Sequence, residues 1–330
     1  MTSGPLLQDW GVPADEDIPP SGDGWWHGIP LRPLAGGYSG ETYVVGADRE
    51  PVVVRIYARN PERAAIDASL LHLVRGLVPV PSVLELRHPT RTSPAVLVTE
   101  LVAGTRLDVL LADPAPAVDL EVLGRSLAEV LTTLAGIPFL DYGMFADASL
   151  TLSGDGMPTD LRDWAEDLRG AGRLATWTGS DWQALLDLVD AAQDLLETAS
   201  VSRFERAVLT HSDFNPKNLL VDPATSRVTA VLDWEFAHAG SVYTDIGNFC
   251  RFERDPRLLE PLLAGLDRVA PGNVKEHLTL GRANDLWALL ELAGRPRPSP
   301  VQAIATELLL AQARTNDLEA WPWEAVRVDP

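Results

Sequence analysis

The sequence predicts an α+β chain in two lobes: a small N-terminal antiparallel β-sheet lobe with one main helix, then a larger, mainly helical C-terminal lobe. Three observations predict it. Short β-branched and aromatic runs bounded by turn residues crowd into the first hundred residues. A single segment of helical period lies among them, and from Thr105 onward Leu- and Ala-rich amphipathic segments dominate. At 330 residues the chain is long enough for two ordinary cores.

Taken in order, residues 1–24 are rich in Pro, Gly and Asp and read as a mobile leader, without the basic start and apolar centre of a secretory signal. Residues 25–102 form the first lobe. Ile29 to Ala47 reads as two strands joined by the Gly-rich turn Ala35-Gly36-Gly37-Tyr38-Ser39-Gly40. Pro51 to Ala58 contains Val52-Val53-Val54-Arg55-Ile56-Tyr57, a β-branched and aromatic run bounded by turn residues that reads as a strand. Asn60-Pro61-Glu62 has the chemistry of a helix start, and Ile66, Leu70, Leu71, Leu73 and Val74 follow at helical spacing up to Gly76. Two strands, Val83 to Leu86 and Ala95 to Leu101, complete the lobe before Ala103-Gly104.

Residues 103–330 form the second lobe, with helices over Leu120 to Leu134, Leu161 to Arg169, Asp181 to Thr198, Val274 to Leu292 and Val301 to Leu318. Ala207 to Thr210, Leu219 to Val221 and Val228 to Leu232 are too short for helices and read as strands.

Composition excludes several function classes. The formal net charge of −20 repels nucleic acid and anionic membranes and would attract a cationic small molecule. The one cysteine, Cys250, leaves no intrachain disulfide and no thiolate metal cluster, which fits a reducing, cytoplasmic setting. No apolar run approaches the roughly 20 residues that a membrane helix needs.

The chemistry is concentrated in His211-Ser212-Asp213-Phe214-Asn215-Pro216-Lys217-Asn218 and in Asp233-Trp234-Glu235 after the next strand pair. An Asp five residues before an Asn on a tight loop can aim a carboxylate at a hydroxyl and an amide oxygen at a metal. Asp233 can complete that metal's oxygen shell, and hard oxygen ligands suit Mg²⁺ bridging nucleotide phosphates. The Gly-rich turn is no P-loop, because Glu41 stands where that motif needs Lys.

With these motifs and Asp245-Ile246-Gly247 downstream, most of the chain resembles the aminoglycoside phosphotransferase-like (choline kinase-like) small-molecule kinases. The resemblance implies a bilobal protein-kinase-like fold with ATP or GTP held between the lobes. It implies that Asp213 orients or deprotonates the acceptor hydroxyl, that Asn218 and Asp233 hold Mg²⁺, and that His211 buttresses the loop. It places Gly36, Gly37 and Gly40 over the phosphates and the backbone of Glu100 to Val102 against the purine.

Arg55 occupies the strand position where the family has a phosphate-gripping Lys, with Asp67 as its expected partner in place of Glu. Only Lys217 and Lys275 are lysines, so Arg for Lys follows the habit of the whole chain. Lys217 itself is either a solvated surface residue or a contact to the transferred phosphoryl group. Glu235 either assists the metal or folds the loop. For a cationic acceptor, the acidic sets Asp160, Asp163, Glu166 and Asp167, or Asp285 and Glu291, are the candidates. The leading expectation is transfer of a γ-phosphoryl group to a small-molecule hydroxyl, an aminoglycoside or other antibiotic being one acceptor class. A kinase of a primary metabolite such as homoserine or choline, a nucleotide-binding pseudokinase and a metal-dependent hydrolase are the competing readings.

Overall fold

The computed structural model describes residues 25–26, 29–30, 32–33, 41–46, 51–112, 117–153, 159–203 and 206–323. The expected leader at 1–24 and the turn with Gly36, Gly37 and Gly40 lie outside them.

In the first lobe β1 (Trp25–Trp26) pairs with β2 (Ile29–Pro30). A five-stranded antiparallel sheet follows, built from β3 (Arg32–Pro33), β4 (Glu41–Val45), β5 (Val52–Tyr57), β6 (Val83–Arg87) and β7 (Ala95–Glu100) in the order β3-β4-β5-β7-β6. Strand alternation decides what each residue of β5 faces. Val54 and Ile56 bury against Val45, Val96 and Val98 on one side, whereas Tyr57 joins the opposite cluster with Ala64, Leu70 and Leu71. Arg55 shares the parity of Tyr57, and its guanidinium lies 5.2 Å from that ring.

Helix α1 (Arg63–Val74) lies between β5 and β6 in the chain. Its N-cap is Glu62 without a side-chain cap bond, and the carbonyls of Asn60 and Pro61 accept Arg63 and Ala64 N–H instead. Ile66, Leu70, Leu71 and Val74 are buried as their spacing predicts, whereas Leu73 is 39% exposed because it falls on the opposite face.

The second lobe begins with β8 (Thr105–Arg106), α2 (Leu107–Leu111), α3 (Leu120–Ala135), β9 (Gly143–Phe145), β10 (Leu152–Ser153), α4 (Leu161–Gly170) and α5 (Gly179–Arg203). It continues through β11 (Val208–Thr210), β12 (Leu219–Asp222), β13 (Arg227–Val231), β14 (His238–Gly240), α6 (Val242–Cys250), α7 (Pro256–Ala264), α8 (Val274–Ala293) and α9 (Pro300–Thr315). Helices α6 and α7 were not expected, being short and, in α7, carrying Pro261 inside the helix. Helix α9 stops short of Leu318 because Asn316 turns into the left-handed region, with φ +47°.

Two small antiparallel sheets, β10-β9-β14-β11 and β13-β12-β8, frame the segment between β11 and β12. β8 pairs with β12 through Arg106↔Leu220 and Thr105↔Val221, so the strand leaving the first lobe is bonded to the strand that follows the His211–Asn218 loop. Between the lobes the chain turns at Gly104, φ +150°, where a Cβ would come within 2.6 Å of Thr229 Oγ1. The Thr229 hydroxyl donates to the Ala103 carbonyl at 2.9 Å and fastens this junction.

One apolar cluster runs from α1 and β7 through α3 to β11, β13, α6 and α7, and a second joins α4, α5, α8 and α9. Helices α6 and α8 meet backbone to backbone. A Cβ on Gly247 would strike the carbonyl of Gly281, so glycine is what permits the crossing that sets Asp245 under the loop.

Candidate functional site

The loop between β11 and β12 is held from below by one carboxylate. Asp245, buried on α6, accepts the His211 N–H at 2.8 Å on Oδ2 and the Ser212 N–H at 2.7 Å on Oδ1. Burial raises its carboxyl above the ordinary range, and those two amide bonds oppose the rise. The grip is needed because Ser212 sits at φ +63°, a conformation that costs an L-residue about 1–2 kcal/mol.

His211 is fully buried, its ring 4.9 Å edge-on from Trp234. Its Nε2 lies 2.9 Å from the Leu232 carbonyl, and its Nδ1 accepts from the Asp213 N–H at 3.3 Å. Those partners require a proton on Nε2 and none on Nδ1, hence a neutral ring, and burial brings its pKa down to about 4.

Asp213 follows, its carboxylate held by two amides. Asn218 Nδ2 donates to Oδ2 at 2.7 Å and to the Asp213 carbonyl at 2.9 Å, while Asn215 Nδ2 donates to Oδ1 at 2.7 Å. Burial, and then the nearby charge of Asp233, push the Asp213 carboxyl up to about 6 against these bonds. With the Asn218 amino group turned to Asp213, its amide oxygen is the atom left for a cation. The Leu232 N–H donates to the Asn218 carbonyl at 2.8 Å, which brings the backbone just before Asp233 alongside. Asp233 has φ +62°, tolerated by Asp better than by most side chains.

From the first lobe, Arg55 Nη1 donates to Asp233 Oδ1 at 2.7 Å and Nη2 to Glu235 Oε2 at 2.8 Å. The partner expected for Arg55 was Asp67, and here the structure differs. Asp67 is buried on α1, where it accepts from the Tyr57 hydroxyl at 2.7 Å and from Arg63 Nε at 2.6 Å. Its side chain is one methylene shorter than that of Glu, and the Tyr57 hydroxyl and Arg63 guanidinium take it up. Arg63 also donates through Nη2 to the Trp234 carbonyl at 2.5 Å, so α1 is tied to the Asp233–Glu235 segment through Arg63.

The remaining expected residues fall as follows. Glu100 and Val102 lie half-buried at the end of β7 and in the connector. Lys217 is half-buried in the single turn Pro216–Asn218, neither fully solvated nor enclosed. Burial pulls its ammonium down to about 8, with Asp108 opposing. Two of the proposed acceptor-binding acids are already engaged. Both oxygens of buried Asp285 accept from Arg251, at 2.8 and 2.6 Å, and both oxygens of Glu291 accept from Arg173, at 2.6 and 3.0 Å. Asp160 caps α4 by accepting the Asp163 N–H, and Asp163, Glu166 and Asp167 form that helix's solvated face.

Sequence reasoning missed Asn215, Tyr57, Arg63 and Arg251. The four-residue spacing of Arg63 and Asp67 on one helix was a visible signal for Arg63. The Arg251–Asp285 contact joins α6 to α8 across 34 residues and had none.

Among the described residues no group of three or more His, Cys, Asp or Glu side chains is disposed as a metal cage. The oxygens that suit a hard divalent cation are the Asn218 amide oxygen and the Asp233 carboxylate, a set that fits Mg²⁺ when phosphate oxygens and water complete the shell. Among the same residues no helix is long and apolar enough to cross a membrane.

Comparison with known proteins places this geometry in context. Residues 30–277 match the family model described as "Phosphotransferase enzyme family". The chain is 31% identical over 201 residues to an aminoglycoside 3'-phosphotransferase of Streptomyces fradiae, covering 57% of this chain and 66% of that protein, just under two thirds of its length. It is 27% identical over 216 residues to an aminoglycoside 3'-phosphotransferase of Streptomyces ribosidificus, covering 61% and 73%. In fold it is similar to aminoglycoside 2'-phosphotransferase-IIIa in its GDP complex, with TM-score 0.62 and 18% identity over 87% of this chain and 92% of that one. It is also similar to a thermostable mutant of aminoglycoside phosphotransferase APH(4)-Ia in ternary complex with ADP and hygromycin B, with TM-score 0.53 and 19% identity over 88% and 89%.

Proposed function

The chain belongs to the phosphotransferase enzyme family, and on that premise we propose that it transfers the γ-phosphoryl group of ATP or GTP to a hydroxyl of a small molecule. One observation carries the proposal: Asp213 is held by Asn215 and Asn218 within a partly buried loop, with Asp233 close enough to raise its proton affinity. A carboxylate near pKa 6 is ionised at neutral pH yet basic enough to draw the proton of an attacking hydroxyl.

In this reading Asp213 aligns the acceptor oxygen and takes its proton as that oxygen bonds to the γ-phosphorus and the bond from phosphorus to the β,γ-bridging oxygen breaks, releasing ADP or GDP. Asn218 has two tasks, holding Asp213 by its amino group and offering its amide oxygen to Mg²⁺ beside Asp233. Bound Mg²⁺ would supply neutralisation of phosphate charge. Arg55 grips phosphate oxygens, Gly36, Gly37 and Gly40 cover the phosphates, and the backbone from Glu100 to Val102 meets the purine. Residues 25–102 then serve as the nucleotide-binding lobe and 103–330 as the catalytic and acceptor-binding lobe.

Aminoglycosides are the first acceptor class to test, because both Streptomyces relatives carry that activity in their names. The acids the sequence offered for a cationic acceptor lend little support, since Asp285 and Glu291 are bonded to arginines. A pseudokinase is the second reading, favoured by Arg55 in place of Lys and by its engagement with Asp233.

A coupled ADP- or GDP-release assay decides between them. It should be run with both nucleotides over a panel of aminoglycosides, other hydroxyl-bearing antibiotics, homoserine and choline. Turnover with at least one acceptor, abolished in Asp213→Ala with the fold intact, is the expected result. Near-normal turnover in Asp213→Ala would overturn the assignment of Asp213, and nucleotide binding with no hydrolysis and no transfer to any acceptor would favour the pseudokinase.

A further inference from the structure

Arg55 joins the two lobes through two carboxylates at once. Its guanidinium donates to Asp233 at 2.7 Å and to Glu235 at 2.8 Å, and the three side chains are only 16%, 22% and 15% exposed. A planar fork can hand separate N–H groups to two acids spaced two residues apart, whereas the ammonium of Lys is a single point of charge. Although burial disfavours the charged guanidinium, Asp233, Tyr57 and Asp67 together more than offset it and hold Arg55 above its already high ordinary value.

On the proposed reading Asp233 is a ligand for Mg²⁺, and it is already neutralised by this guanidinium. A divalent cation arriving alone must therefore meet a positive charge at its own carboxylate or expel Arg55 from its acids. Expulsion would leave a half-buried guanidinium without its carboxylates, which is costly. A nucleotide changes that balance, because phosphate oxygens offer the fork a matching partner and simultaneously supply the extra oxygens that a cation needs here. The described residues provide no cage of three acids that could hold the metal without such help.

We propose that Arg55 is the resident counter-cation of the metal site: in the ligand-free chain it occupies Asp233 and Glu235, and it keeps out a free divalent cation until nucleotide phosphates draw it away. Metal and nucleotide then enter as a pair. Glu235, whose role the sequence left open between metal and loop, is the second anchor of Arg55 in the ligand-free chain. The proposal rests on the phosphotransferase reading in taking Asp233 as a metal ligand and in placing nucleotide phosphates within reach of Arg55.

The test uses Mn²⁺ as a paramagnetic substitute for Mg²⁺ and measures its binding to the full chain by electron paramagnetic resonance of the free ion. Wild type, Arg55→Ala and Glu235→Gln are compared with and without a β,γ-imido nucleotide analogue, and thermal melts check that each is folded. Without nucleotide, Arg55→Ala should bind Mn²⁺ at least about tenfold more tightly than wild type. Glu235→Gln, which loosens one anchor, should gain about threefold. With the analogue, wild type and Glu235→Gln should agree within about threefold.

Mn²⁺ binding to Arg55→Ala no tighter than to wild type would overturn the proposal. If wild type still bound Mn²⁺ with the analogue in that case, the phosphotransferase reading would stand without the clasp. If no variant bound Mn²⁺ under either condition, both would fall. Should Arg55→Ala prove unfolded, Glu235→Gln carries the test alone, and absence of any gain in it has the same overturning force.

Discussion

Asn218 donates from one amino group to both the carboxylate and the carbonyl of Asp213, at 2.7 and 2.9 Å. Residues five apart in the chain are thereby locked into one unit, with the amide oxygen of the second turned away from the carboxylate of the first. Asn218→Ala removes the orienting bonds together with that oxygen. We expect kcat to fall by about 10²- to 10³-fold, because a misaimed base loses most of the contribution of a positioned one. Steady-state kinetics at saturating nucleotide and Mg²⁺ would check this, and a fall of less than about fivefold would contradict the double role of Asn218.

A second expectation concerns pH. Burial and Asp233 raise Asp213 to about 6, so the carboxyl gains a proton as pH falls through that value and the base is lost. The kcat/KM profile should therefore drop with unit slope below about pH 6, against a reference Asp value near 4. Stability should move in the opposite sense. A carboxyl whose folded pKa is raised binds more protons folded than unfolded, so its ionisation weakens the fold as pH rises from about 4 to about 6. Asp213→Asn should then be inactive and, at pH 7, more stable than wild type by about 1–2 kcal/mol in a denaturant titration.

The buttress beneath the loop gives a third. Asp245→Ala would strip the acceptors from the His211 and Ser212 N–H groups at a residue held at φ +63°. A loss of about 2–4 kcal/mol is expected from two desolvated donors, together with a large fall in activity, although Asp245 would touch no substrate. The neutral state of His211 is part of the same arrangement. Its folded pKa lies below its unfolded one, so the stability it confers is complete above about pH 6.5 and is lost as pH falls toward about 4. Nuclear magnetic resonance of the ring should show the Nε2–H tautomer at pH 5, and a titration midpoint near 6.5 would refute the assignment.

Arg251 and Asp285 are 8% and 4% exposed at their side chains and are bonded through two contacts. Arg251→Ala would leave a buried carboxylate without its cation and should cost about 3–5 kcal/mol. Replacing the pair by Met and Leu should recover most of that loss. Thermal and chemical unfolding of the three proteins would separate a structural pair from an acceptor-binding one, which would instead change KM.

Much of this molecule was legible residue by residue. The β-branched and aromatic run Val52 to Tyr57, bounded by turn residues, predicted β5, and once it is a strand its period of two fixes which face Arg55 takes. The short apolar runs Leu219 to Val221 and Val228 to Leu232, separated by polar residues, pointed to a strand pair between Asn218 and Asp233, since strand length and turn chemistry are short-range properties. Helices α6 and α7 were not legible. Nine residues give too little periodicity to separate a helix from a loop, and their stability comes from packing against α8 and α3 rather than from propensity.

Local sequence thus determined the fold class, the class of the longer elements and the principal side chains able to carry chemistry, because hydrophobic period, turn residues and oxygen ligands are properties of neighbours in the chain. Tertiary structure alone decided the partnerships. Arg55 joined Asp233 and Glu235, 178 and 180 residues away, Asp67 went to Tyr57 and Arg63, and Asp285 was claimed by Arg251. Which acid neutralises which base is settled by reach and burial once the lobes have packed, and those quantities exist only in three dimensions.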